Sequence, residues 1–157
     1  MYIYTFPEQL RQGDRGEHAL DVVFASDWII TGAIMAEQRQ GIDRHFTHRM
    51  TGLELTIEYK TDYVAGRTHN AFLETVSVDK PVAKPGWAQT CSADYLFYYI
   101  PTDGLVYVLA PGRIRHFVYH LARWCHPVPV PNRDYHTWGF VVPLRSLERC
   151  AEDVVLV

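Results

Sequence analysis

The chain has 157 residues, a length that suits one domain with a buried core, and residues 1–157 read as a single unit. Apolar residues make up 48 % and charged residues 21 %, an ordinary globular composition, and no stretch approaches the run of about 18 apolar residues that a membrane span requires. The net charge of −3 argues against a protein that coats nucleic acid non-specifically, although it leaves room for an enzyme with a local basic rim.

The opening run from Met1 to Glu8 lacks the basic and apolar regions of a signal peptide, which predicts a cytoplasmic protein. Asp14 and Glu17 have capping-box spacing, and Leu20, Val23 and Phe24 follow at helical intervals, so a helix is expected from about Asp14. Trp28 to Ile34 reads as a strand. The most informative stretch comes next: Leu53, Leu55, Ile57 and Tyr59 alternate with Glu54, Thr56, Glu58 and Lys60, the period of a strand with one apolar face. Residues 42–50 supply a partner strand, and Thr51-Gly52 a tight turn. A two-residue turn pairs Met50 with Leu53 and sets Asp43 opposite Lys60, so Asp43, Glu58 and Lys60 share one face.

Further along, Phe72 to Val78 reads as a strand and Val82 to Thr90 as a loop. Ser92 to Tyr99 reads as a short helix, Leu105 to Leu109 as a strand, and Arg113 to Trp124 as an amphipathic helix carrying much of the basic charge. Pro127, Pro129 and Pro131 mark an extended stretch. Trp138 to Val142 is expected as a last strand and Leu144 to Cys150 as a closing helix. The order predicts an α/β fold, a mixed β-sheet flanked by helices. Cys91, Cys125 and Cys150 are too scattered for a disulfide framework, and Cys125-His126 has no second pair to complete a zinc site. No HxH or HExxH spacing points to a histidine-based zinc hydrolase.

Phosphodiester hydrolysis needs a nucleophilic water, neutralised charge on the phosphoryl oxygens and help for the leaving oxygen. Two hard carboxylates side by side make a Mg²⁺ site, with Mn²⁺ as a substitute, and a neighbouring ammonium can orient the water or stabilise developing charge. Asp43, Glu58 and Lys60 offer this set, and the Tyr59 carbonyl adds an oxygen donor. The plain alternative for a bare Glu-X-Lys is an exposed strand face with an ordinary ion pair; the hairpin and the upstream Gly41-Ile42-Asp43 set this one apart.

Gly41-Ile42-Asp43 followed by Thr56-Ile57-Glu58-Tyr59-Lys60 resembles the core of the PD-(D/E)XK nuclease superfamily, with the restriction-endonuclease-like fold, over roughly residues 14–110. Ile42 stands where the family signature has proline. The resemblance implies a metal-dependent endonuclease acting on DNA, with Asp43 and Glu58 as metal ligands and Lys60 as the catalytic lysine. Members resembling Holliday-junction resolvases carry a first-helix glutamate at the metal, which makes Glu17 a further ligand candidate; its other reading is the capping residue. Arg67, Thr68, Asn70 and Lys84 are candidate phosphate contacts. Glu74 shares a strand face with Phe72, Val76 and Val78, and is expected at an exposed edge rather than in the site. A junction resolvase working as a homodimer and a catalytically inactive binding subunit are the alternative functions.

Overall fold

Burial follows the alternation seen along the chain, and it fixes which face of each element turns inward. The structure, a computed structural model, describes residues 6–157, with side chains from residue 10; residues 1–5, where the reading of the N-terminal leader begins, lie outside the described residues. The helices are α1 (Phe6–Phe24), α2 (Met35–Gln38), α3 (Ala65–Thr68), α4 (Trp87–Thr90), α5 (Pro111–Leu121) and α6 (Leu144–Glu148). The strands are β1 (Trp28–Gly32), β2 (Arg44–His48), β3 (Glu54–Thr61), β4 (Asn70–Val78), β5 (Lys84–Pro85), β6 (Tyr95–Ile100), β7 (Leu105–Leu109), β8 (Val128–Pro131), β9 (His136–Pro143) and β10 (Ala151–Leu156). No described helix is long and apolar enough to cross a membrane.

The mixed α/β architecture holds, with one addition. A six-stranded sheet runs β1-β2-β3-β6-β7-β10, and a four-stranded sheet runs β5-β4-β9-β8. In the larger sheet β3 and β6 are parallel, while the other neighbours are antiparallel. A parallel pair needs a long crossover, and residues between β3 and β6 supply α3, β4, β5 and α4. The larger sheet therefore has a core on each face. Leu20 of α1, Phe46, Ile57, Tyr59, Phe97 and Val106 fill one side. Leu73, Leu96, Tyr98, Ile114, Phe140 and Leu147 help fill the other, drawing in the second sheet and α5.

Three expectations change. Helix α1 begins at Phe6, so Asp14 lies inside it and cannot cap its start. The 92–99 stretch is an extended loop entering β6, not a helix, and β6 is a central strand. Its residues are aromatic or aliphatic and buried or half-buried on both faces, so there is no polar alternation to reveal it. Strand β10 went unseen, because Glu152 and Asp153 disguise an edge strand whose charges face solvent.

The hairpin register also differs from the simplest turn. Glu54 pairs with Thr47 rather than Arg49, and Arg44 pairs with Ile57. The turn is longer because His48 closes it: its amide bonds the Leu53 carbonyl at 2.8 Å, and its ring Nδ1 accepts from Met50 and Thr51. Gly52 takes the left-handed conformation needed there, at φ +70°. The shift is even, so every side chain keeps its face. Extending the observed pairing by one step places Asp43 opposite Glu58 instead of Lys60.

Candidate active site

Asp43 stands where β2 peels away from β3. Its amide donates to the Ile57 carbonyl at 2.8 Å, while its own carbonyl accepts from Ala33 at 2.9 Å. Its carboxylate Oδ2 accepts the Tyr59 N–H at 2.8 Å, taking the place of a backbone acceptor. The preceding Gly41 has φ +75°, and a Cβ there would lie 2.8 Å from the Cys91 Cα. Glycine is thus needed on two counts, backbone conformation and close approach, and together they aim Asp43 at β3.

Glu58 and Lys60 point from β3 to the side opposite α1, next to Leu96 and Tyr98 of β6. Glu58 is only 4 % exposed. Burial pushes its carboxyl up to about 7; the Lys60 ammonium opposes the shift and the adjoining Asp43 carboxylate adds to it. Glu58 Oε1 pairs with Lys60 Nζ. Its Oε2 is buried with no hydrogen-bond donor. Burial alone would depress the Lys60 ammonium, but Glu58, Asp43 and Glu74 outweigh it and hold it above its ordinary range.

Glu74 corrects the sequence expectation. It is not an exposed edge residue: β4 lies between β5 and β9, and burial pushes the Glu74 carboxyl up, opposed by Lys60 and by a bond from the Trp87 N–H. Gly86 makes this possible, since a Cβ there would sit 2.7 Å from Glu74 Cγ. Only the fold of the second sheet against the first reveals this carboxylate. Beside it opens a cleft of about 450 Å³, lined among others by Gln12, Thr61, Phe72, Asn132 and Tyr135.

Glu17 approaches from α1. A Cβ on Gly16 would lie 2.0 Å from Thr61 Oγ1, so glycine lets the helix cross β3 at close range. Arg44 Nη2 binds Glu17 at 2.9 Å while Arg44 Nε reaches Asp21 at 3.0 Å. The same guanidinium donates to the Asp43 carbonyl at 3.0 Å. Burial and the neighbouring Asp43 push the Glu17 carboxyl up, against the pull of Arg44. Glu17 is therefore within electrostatic reach of Asp43 but is engaged by a cation of the chain itself.

Two of the four candidate phosphate contacts are engaged within the fold. Thr68 Oγ1 bonds the Val64 carbonyl and Asn70 Nδ2 the Thr68 carbonyl, so both tie the turn from α3 into β4. Arg67 and Lys84 are exposed. Asp62, just past the Glu58-Tyr59-Lys60 stretch, accepts the amides of Val64 and Ala65 and the Tyr98 hydroxyl.

Among the described residues no three His, Cys, Asp or Glu side chains are arranged to hold a metal ion. The pair Asp43 and Glu58 nonetheless has the donor chemistry of a hard divalent cation. Two carboxylates adjoin, and one carries a buried oxygen that nothing satisfies.

No family model matches the chain, and neither does any curated protein. Among solved structures, a bacterial homing endonuclease is similar, with a TM-score of 0.46 and 17 % identity over 64 % of this chain and 67 % of that one.

Proposed function

We propose that this protein is a metal-dependent endonuclease that hydrolyses phosphodiester bonds in DNA, of the PD-(D/E)XK type. The observation that carries the reading is the buried, unsatisfied Glu58 Oε2 beside Asp43 and Lys60. A buried carboxylate oxygen without a donor costs stability, and a bound cation removes that cost.

Asp43 and Glu58 would hold Mg²⁺ or Mn²⁺, with the Tyr59 carbonyl as a further oxygen donor. Bound there, the ion would lower the pKa of a water and neutralise charge on the scissile phosphate. Lys60 stays protonated among Glu58, Asp43 and Glu74, which suits it to orienting the attacking water and stabilising the phosphoryl oxygens electrostatically. Glu17 would turn from Arg44 toward the cation, supplying the further carboxylate that the ion-free arrangement lacks.

The test is cleavage of plasmid, single-stranded and branched DNA in Mg²⁺ or Mn²⁺ by the wild type and by Lys60→Ala. Cleavage by the wild type alone is expected. A wild type that cuts none of the three and binds no divalent ion would sink the assignment, as would a Lys60→Ala protein that cuts equally well. Preference for the branched substrate, together with a dimeric mass in solution, would favour the resolvase form.

A further inference from the structure

Helix α5 carries a feature with no part in this chemistry. His116 and His120 lie one turn apart on its outer face, both exposed, with their Nε2 atoms 2.9 Å from each other. Their ring planes meet at 76°. Residues four apart on a helix are surface neighbours, so the spacing brings the rings together. The turn beneath is anchored, since Ile114 and Val118 are 1 % and 5 % exposed within the core.

We infer that His116 and His120 form a two-ligand site for a divalent transition metal of the Cu²⁺ or Ni²⁺ class. The distance between the donors sets the class. With imidazole–metal bonds of about 2.0–2.1 Å, two nitrogens 2.9 Å apart subtend about 90° at the ion. That is the angle between neighbouring ligands in square-planar or octahedral coordination, which Cu²⁺ and Ni²⁺ adopt. Tetrahedral Zn²⁺ would need the nitrogens about 3.3 Å apart at the same bond length.

Without an ion, one ring's Nε2–H donates to the lone pair of the other, a bond that contributes little at an exposed position. With an ion, both Nε2 lone pairs coordinate. The donor ring carries its proton on Nδ1 instead, so no proton is gained or lost. Water fills the remaining positions, because both rings face solvent. The site is chemically distinct from Asp43 and Glu58, whose oxygens favour Mg²⁺ or Mn²⁺. A chelate across one turn also holds α5 in its helical form, so binding appears as added stability.

The experiment is titration of the full chain with NiCl₂ and CuCl₂ in excess Mg²⁺, which occupies the carboxylate site, followed by calorimetry and by paramagnetic broadening of backbone NMR signals. One ion per chain is expected, with broadening centred on residues 116 and 120, Cu²⁺ tighter than Ni²⁺, and a higher Tm that EDTA reverses. His116→Ala and His120→Ala should each weaken binding about tenfold or more while leaving the metal-free Tm unchanged. His126→Ala, beside the exposed Cys125, should bind like the wild type. The inference falls if no ion binds, if broadening centres on Asp43 or His126, if His120→Ala retains full affinity, or if Zn²⁺ binds as tightly as Cu²⁺.

Discussion

The two faces of β3 solve opposite problems with alternating residues of one strand. Toward α1, Ile57 and Tyr59 join Leu20, Phe46 and Phe97 in an aromatic-rich core. Rings of Phe46, Tyr59 and Phe97 meet with centroids 5.9 to 6.4 Å apart, the range of favourable aromatic pairs. Toward the second sheet, Glu58 is as dry as that core, with the half-buried Lys60 beside it, but one carboxylate oxygen is left unsatisfied. The first face stabilises the fold. The second takes stability away, the pattern expected where function conflicts with packing.

The largest effects should separate these faces. Glu58→Gln is expected to lower cleavage about 10³-fold or more if Glu58 is the metal ligand proposed above, yet to raise the Tm of the metal-free protein. Ile57→Ala should do the reverse. Ile57 is fully buried, so its truncation should cost roughly 2–5 kcal/mol while kcat of the folded protein stays within a few-fold. Thermal unfolding and cleavage rates of both variants check the pair. A Glu58→Gln protein less stable than the wild type without metal would break the comparison.

Next in size is Glu17→Gln. If Glu17 completes the metal site, the Mg²⁺ concentration for half-maximal cleavage should rise roughly 10–100-fold while stability barely moves, since Arg44 keeps Asp21. An unchanged metal requirement would confine Glu17 to its ion pair with Arg44.

A pH dependence follows from the same face. The Glu58 carboxyl titrates at about 7 in the folded chain against an ordinary 4.5, so the folded state binds the extra proton. Its favourable contribution is fully present below about pH 4.5 and is lost as pH rises through about 7. Glu17 and Glu74, also raised by burial, act in the same direction. Urea unfolding in EDTA should therefore show stability falling between pH 5 and 8, less steeply in Glu58→Gln. Mg²⁺ should flatten the fall in the wild type by binding the ionised carboxylates. A wild type whose stability rises across this window would contradict the burial of Glu58.

How far the sequence revealed this site depended on whether the information was local. Alternation from Leu53 to Lys60 shows the two faces, because side-chain direction in a strand depends only on parity. Parity also explains why Asp43 shares a face with Glu58 even though the turn at His48 moved the register. Glu74 could not be placed this way. Its surroundings come from β4 folding back against the first sheet, and no local pattern encodes that contact. The aromatic run from Tyr95 to Tyr99 misled for a related reason: buried on both faces, it offers no polar alternation from which to read a strand. The His116–His120 pair was present in the sequence as a four-residue spacing, but only the 2.9 Å separation shows that the rings converge.

The smallest expected effect concerns the rim. Arg67 and Lys84 are exposed. Neither is expected to touch the reacting atoms, so neither should change the metal requirement or kcat at saturating DNA. If each neutralises one phosphate, Arg67→Ala or Lys84→Ala should reduce the slope of log binding constant against log salt by about 0.9. The loss should be uniform across sequences, as a phosphate contact carries no base information. Binding measured in a Lys60→Ala background, which is expected not to cleave, isolates this term. A variant with an unchanged slope places that residue outside the DNA path.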